Sequence, residues 1–128
     1  MDTRIEQIVS EFCEGNRLLE KKTEARGKCL ITSIELEKKL AEAGISVEFV
    51  RVDAINYLSR EHWAILVDNS TVIDATARQF DEGAAFPLIQ DLESWLDDCV
   101  EWLEDDLDYE VYVYWKDESP RESGWWIP

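Results

Sequence analysis

The chain has 128 residues, 45% of them hydrophobic and 11% aromatic, so it can bury a core and is not expected to be disordered. Its length fits a single domain that spans residues 1–128. Acidic residues number 29 against 13 Lys and Arg, and the formal net charge of -16 argues against direct binding to a nucleic-acid backbone.

Two features of the sequence indicate a cytoplasmic protein without a membrane partner. No apolar run approaches the roughly 20 residues that cross a bilayer, and the first residues lack the basic and then apolar order of a signal peptide. Cys13, Cys29 and Cys99 are widely spaced and form no CxxC pair, so we expect neither a disulfide framework nor a zinc knuckle. The carboxylates show no EF-hand spacing, and we expect no metal site and no other cofactor. Export by a route that needs no N-terminal signal is the alternative.

Helical periodicity dominates the first third of the chain. A first helix is predicted by apolar residues at i, i+3, i+4 and i+7, namely Ile5, Ile8, Val9 and Phe12. A charged stretch, 17–28, is interpreted as a loop that leads to a second helix beginning at Cys29 and reaching Ala43. Gly44 follows where a helix commonly ends in the left-handed conformation.

The middle of the chain predicts strands. Residues 47–52 and 62–67 are rich in β-branched and aromatic side chains and are typical of strands. A tight turn at Asp68 and Asn69 then returns the chain into a third strand, 71–74.

The last third predicts one helix and one strand after a loop at 84–87. Apolar residues recur with a 3.6-residue period over 92–107, and residues 109–115 alternate as a strand does. The element order is α–α–β–β–β–α–β. It indicates an α+β domain in which N-terminal helices, one carrying a cysteine, pack on a small antiparallel sheet.

A cysteine, a histidine and an aspartate are placed where they could act together. Cys29 begins a predicted helix, and the N–H groups of a helix N-terminus stabilise a thiolate and can hold an oxyanion. His62 is the single histidine of the chain and begins a predicted strand. With the turn at 68–69, Asp74 falls approximately opposite His62, where a carboxylate can orient an imidazole. Cys13 and Cys99 lie on or beside apolar helical stripes and are interpreted as core residues.

A resemblance to a known family rests on three segments: Cys29, the pair His62-Trp63, and the run from Val72 to Thr76 that continues to Phe80. They resemble the Cys–His–Asp core of transglutaminase-like, papain-fold enzymes, including small bacterial and phage members, over about residues 25–90. The resemblance implies Cys29 as nucleophile, His62 as general base and acid, and Asp74 as orienting carboxylate. The implied activity is acyl transfer from an amide of a protein or peptide, as a peptidase, glutamine deamidase or transamidase.

The sequence departs from the papain pattern before the cysteine, where a glutamine would help to hold the oxyanion. Thr23, Glu24 and Ala25 stand there instead. The backbone N–H of Cys29 or the side chain of Gln79 could replace that donor, although a structural glutamine is the simpler interpretation of Gln79. Trp63 could wall the site, with core packing as the alternative.

An acidic binding module is the alternative function. Residues 91–110 contain ten acidic residues and no basic ones, a face that would suit a basic partner. Such a module would be an inhibitor, an immunity protein or a nucleic-acid mimic, and the same face could recruit a basic substrate to the thiol. The Trp125-Trp126 tail is interpreted as folding back on the core, with a docking patch as the alternative.

Overall fold

The computed structural model describes residues 1–55, 60–103 and 111–117. Its four helices are α1 Thr3–Glu14, α2 Lys22–Ala25, α3 Cys29–Glu42 and α4 Leu92–Leu103. Its five strands are β1 Glu48–Ile55, β2 Arg60–Val67, β3 Thr71–Asp74, β4 Leu88–Asp91 and β5 Val111–Asp117. Two 3-10 turns complete the described elements, at Arg17–Glu20 and Ala77–Gln79.

The N-terminal helices form where periodicity predicts them. Helix α1 is capped by the Asp2 side chain, which accepts a hydrogen bond from the Arg4 N–H, and it buries the face that carries Ile5, Val9 and Phe12. The segment predicted as a loop is instead a 3-10 turn followed by α2, because Leu19 and Ala25 are both buried and hold it against the body of the protein.

Helix α3 begins at Cys29 and ends within a residue of the predicted boundary. Gly44, just beyond it, has a φ of 78°, the left-handed conformation that the sequence predicts there.

The sheet has five antiparallel strands in the order β4-β3-β2-β1-β5, which confirms an α+β domain with an antiparallel sheet. Strand β4 is absent from the sequence-based order, and that order is wrong at this point. Leu88–Asp91 is only four residues long, and although its exposure alternates along the strand, none of its residues is fully buried. It forms an edge strand because β3 pairs with it, and this pairing cannot be predicted from a local sequence pattern.

The two faces of the sheet carry two separate cores. One face packs against α1 and α3 through residues that include Phe49, Trp63 and Ile65. The other packs against α4 through residues that include Ala64 and Leu66. The alternation of side chains along β2 therefore decides which of its residues meet which helix.

The β2–β3 hairpin has the strand ends that the sequence predicts, at residues 67 and 71. Ile65 pairs with Ile73 and Val67 with Thr71, so three residues, 68–70, connect the strands. In this register position 64 lies across from Asp74, and the predicted pairing of His62 with Asp74 is wrong by two residues. His62 and Asp74 keep the same face of the sheet and meet diagonally instead.

Within the described residues, no helix is both long enough and apolar enough to cross a membrane. The predicted extension of α4 to residue 107 and the Trp125-Trp126 tail lie outside the described residues. The last strand runs over Val111–Asp117, and the predicted start at Tyr109 also falls outside them.

Candidate active site

The Asp74 carboxylate is buried and lies at the centre of a hydrogen-bond cluster on the α4 face of the sheet. His62 Nε2 lies 2.6 Å from Oδ2, and Trp95 Nε1 donates to the same oxygen at 2.9 Å. The Thr76 backbone N–H donates to Oδ1 at 3.0 Å, and the Thr76 hydroxyl lies 3.4 Å from that oxygen. Each oxygen of the carboxylate therefore has two donors, as a buried charge requires.

The carboxylate and the imidazole hold each other in their charged forms. Burial lowers the pKa of His62, but the charge of Asp74 and the hydrogen bond to it outweigh burial and raise the pKa to about 10. Burial raises the pKa of Asp74, but the imidazolium, its hydrogen bond and the donors Trp95 and Thr76 lower it below its ordinary value. At neutral pH the pair is therefore an imidazolium and a carboxylate.

Aromatic rings surround the imidazole. Phe80 meets the His62 ring edge-on with centroids 4.9 Å apart, and the rings of Trp95 and Trp102 lie at 5.7 and 6.0 Å. Phe80 and Trp102 stack on one another at 5.5 Å. His62 is 0% exposed, so these rings exclude water and strengthen the interaction of the two charges.

Cys29 is the first residue of α3 and is partly exposed. The helix begins with a hydrogen bond from the Thr32 N–H to the Lys28 carbonyl, so the N–H groups that precede Thr32 have no acceptor inside the helix. Among the described residues, no side chain caps this terminus at the N-cap residue Lys28. The N-terminal N–H groups beside the thiol are those that could bind an oxyanion.

Cys29 lies near His62, and Nδ1 is the imidazole nitrogen that Asp74 does not use. The proximity of Cys29 contributes to the raised pKa of His62. Because Nε2 is held by Asp74, Nδ1 is the nitrogen left for the thiol. Within the described part of the chain, Nδ1 is buried and has no partner at full hydrogen-bond geometry. Among the described residues, a hydrogen bond therefore joins His62 to Asp74, and Cys29 lies near His62 without one.

The other two cysteines are poor nucleophiles. Burial raises the pKa of Cys13 to about 11. Burial raises the pKa of Cys99 further still, and the nearby Asp74 carboxylate adds to that shift. Both are buried, as predicted, whereas Cys29 is partly exposed.

Gln79 does not serve as the predicted oxyanion donor. Its Nε2 donates to the Thr76 hydroxyl at 3.2 Å, and its Oε1 accepts the Gly27 N–H at 3.3 Å. The side chain thus joins the Asp74 loop to the turn before Cys29, which agrees with the simpler structural interpretation.

Trp63 does not wall the cluster. It follows His62 directly on β2, so its side chain lies on the opposite face of the sheet, in the core formed with α1 and α3. Its Nε1 donates to Glu61, and the Arg51 guanidinium lies 5.3 Å from its ring. The core interpretation of Trp63 is the correct one.

The sequence does not indicate that Trp95 and Phe80 belong to the cluster. Trp95 lies within the apolar helical repeat of residues 92–107, but its hydrogen bond to Asp74 depends on how α4 packs on the sheet. Thr76 carries a local signal, because a threonine two residues after an aspartate is placed to donate to that carboxylate.

In the described segments 1–55, 60–103 and 111–117, no three His, Cys, Asp or Glu side chains are grouped as metal ligands. No protein-family model, no curated protein and no solved structure matches this chain.

Proposed function

We propose that the protein is a cysteine-dependent acyl-transfer enzyme that acts on an amide of a protein or peptide. Cys29 is the nucleophile, His62 carries the proton, and Asp74 orients the imidazole. The observation that carries the proposal is the different surroundings of the two nitrogens of His62. Nε2 is bound to Asp74 at 2.6 Å, and the buried Nδ1 is left for the Cys29 thiol. The resemblance to papain-fold and transglutaminase-like enzymes supports the same assignment.

The chemistry follows from where the proton resides. Since Asp74 raises the pKa of His62, the proton is held on the imidazole, and the sulfur can act as a thiolate beside the α3 N-terminus. The thiolate forms a C–S bond with the amide carbonyl, and the resulting oxyanion is held by N–H groups of the first turn of α3. His62 then gives its Nδ1 proton to the leaving nitrogen, and the C–N bond breaks.

The second half of the reaction resolves the thioester. His62 takes a proton from the attacking water or amine, a new C–O or C–N bond forms, and the C–S bond breaks to return the thiolate. Water gives hydrolysis of a peptide, or deamidation when the leaving group is the ammonia of a glutamine side chain. An amine gives transamidation, and the three outcomes use the same cluster.

A second candidate function is binding to a basic partner through α4. Glu93, Asp97 and Glu101 are four residues apart and exposed, an arrangement of like charges that destabilises a helix. Other acidic residues of this segment have structural partners: Asp91 accepts from Ser94 at the start of α4, and Asp98 accepts from Gln90. Glu104 and Glu110 lie outside the described residues.

The binding candidate has a test of its own. Reversing Glu93, Asp97 and Glu101 to Lys would abolish capture of a basic partner protein, and Cys29→Ala would leave it unchanged. If capture survives the reversals, the acidic face of α4 is a solvated helix surface.

The acyl-transfer proposal is tested by the pH dependence of iodoacetamide labelling, with mass spectrometry to resolve the three cysteines. We expect Cys29 to label rapidly at near-neutral pH in the native protein, and His62→Gln to remove that reactivity. Cys13 and Cys99 are internal controls that should label only after unfolding, because both are buried. Slow labelling of Cys29 at near-neutral pH, unchanged in a folded His62→Gln protein, would refute the proposal.

A further inference from the structure

We infer that Gln79 and Thr76 are positioning residues that fix the start of α3 against the His62–Asp74 pair, an inference that rests on the proposed acyl-transfer function. They form an unbroken chain of side-chain hydrogen bonds between the turn before Cys29 and the Asp74 carboxylate. We call this chain the Gln79 relay.

The Gln79 relay has three links. The Gly27 N–H donates to Gln79 Oε1 at 3.3 Å, and Gln79 Nε2 donates to the Thr76 hydroxyl at 3.2 Å. That hydroxyl lies 3.4 Å from Asp74 Oδ1. The relay thus runs from the backbone two residues before the nucleophile to the carboxylate that holds the base.

The chemistry of the groups fixes the direction of every link. An ionised carboxylate only accepts, so the Thr76 hydroxyl must donate to Asp74 and accept from its other neighbour. That neighbour must be a donor, which the Gln79 amide nitrogen supplies. The Gly27 N–H at the far end requires an acceptor, which the Gln79 carbonyl oxygen supplies. The amide side chain of Gln79 supplies both the donor and the acceptor that this arrangement requires, whereas an ionised glutamate would offer acceptors alone.

The segment that the relay holds needs an external tie. Gly27 has a φ of 74° and lies in the sharp turn that ends α2 and begins α3. Arg78 ties the same segment at its other end, since its Nη1 donates to the Glu20 carbonyl at 3.4 Å and its Nε to the Ala84 carbonyl at 2.8 Å. Two successive residues of the Ala77–Gln79 turn therefore hold the chain that leads to Cys29.

This tie matters because no hydrogen bond joins Cys29 to His62 among the described residues. Helix α3 packs on the opposite face of the sheet from α4, so packing against α4 does not place the thiol. Misplacing a reacting group by about 1 Å can cost on the order of 100-fold in rate. The Gln79 relay links the position of the Cys29 thiol directly to the His62–Asp74 pair.

The test compares conservative variants at the two positions. Gln79→Glu keeps the acceptor for the Gly27 N–H and loses the donor to Thr76, Thr76→Val loses the hydroxyl, and Thr76→Ser retains it. Gln90→Ala is the matched control, because Gln90 is also half-buried and donates to a carboxylate, that of Asp98. The readouts are the pH–rate profile of Cys29 alkylation and the NMR titration of His62, both well below the melting temperature of each variant.

We expect Gln79→Glu and Thr76→Val to slow Cys29 alkylation at near-neutral pH by about 10- to 100-fold and to shift its pH profile. Thr76→Ser should restore the rate, and Gln90→Ala should leave it at the wild-type value. A residue that merely stabilises the fold would lower the melting temperature and leave both readouts unchanged. Folded Gln79→Glu and Thr76→Val proteins with wild-type profiles would overturn the inference.

The outcome also separates this inference from the proposed function. If wild-type Cys29 does not depend on His62 for its reactivity, the acyl-transfer proposal fails and the relay has no catalytic pair to position. If that dependence holds and the relay variants behave as wild type, only the relay is refuted.

Discussion

The imidazole of His62 and the carboxylate of Asp74 meet diagonally across the β2–β3 hairpin, with Nε2 and Oδ2 2.6 Å apart and both side chains buried. The carboxylate also accepts from Trp95 and Thr76 and is fully satisfied. Among the described residues, the imidazole has a hydrogen-bond partner on Nε2 only. An unsatisfied buried nitrogen destabilises the fold by about 1–3 kcal/mol. Because Nδ1 is the nitrogen available to Cys29, we attribute this cost in stability to the function of the site.

Removing the charge of Asp74 should reverse the pH dependence of stability that His62 causes. In the wild type the pKa of His62 is raised in the folded state. Its contribution to the unfolding free energy is therefore complete below about pH 6.5 and is lost as the pH rises through about 10. In Asp74→Asn, burial without the carboxylate lowers that pKa, so stability is lost as the pH falls through about 6.5. Denaturant unfolding of both proteins across this range provides the measurement.

The difference in unfolding free energy between wild type and Asp74→Asn is the quantity to compare, because the large background of other charges cancels in it. We expect about 3–5 kcal/mol at mildly acidic pH and a smaller difference toward alkaline pH. The slope reaches at most about 1.4 kcal/mol per pH unit for one proton. A difference that is constant with pH would mean that His62 is neutral in the folded protein.

Trp95→Phe should destabilise the protein while it keeps most of the ring packing. The variant removes the N–H that donates to Asp74 Oδ2 at 2.9 Å, a hydrogen bond to a charged group that contributes about 1.5–3 kcal/mol. Trp63→Phe is the matched control, because Trp63 is as deeply buried and its N–H donates to Glu61, which is exposed. Equal losses in the two variants, measured by denaturant unfolding, would show that the Asp74 contact adds nothing.

Gly27→Ala and Gly44→Ala form a matched pair of backbone substitutions. Both glycines have positive φ, 74° and 78°, and an added Cβ would meet no heavy atom within 4 Å at either. Each change should therefore lower the unfolding free energy by about 1–2 kcal/mol through backbone strain alone. Only Gly27→Ala should also slow Cys29 alkylation, because Gly27 belongs to the turn that places Cys29. Equal alkylation rates in the two variants would contradict that placement.

The sequence predicts the helix and strands that carry the site better than the strand register and the hydrogen bonds that connect them. A helix beginning at Cys29 and strands carrying His62 and Asp74 follow from local periodicity, and the structure has all three. The sequence places Asp74 only approximately opposite His62, whereas the ladder pairs Val67 with Thr71 across a three-residue turn in which Asp68 and Asn69 have positive φ. The two-residue error preserves the face of each side chain, so the pair is correct although the register is not.

Local sequence patterns do not predict the tertiary contacts that support the site. Gln79 and Gly27 are 52 residues apart in the chain, and Trp95 meets Asp74 only because α4 packs on that face of the sheet. Strand β4 likewise exists because β3 accepts it as a neighbour. Such contacts depend on the tertiary fold and cannot be predicted from residue type alone.

The most direct test of the catalytic cluster is an NMR pH titration of His62, the single histidine of the chain, in wild type and in Cys29→Ala. We expect a wild-type pKa well above the ordinary 6.5 because of Asp74, and a lower pKa in Cys29→Ala because Cys29 contributes to the raised value. Identical titrations in the two proteins would show that Cys29 and His62 do not interact, and would contradict the assignment of the cluster as a catalytic site.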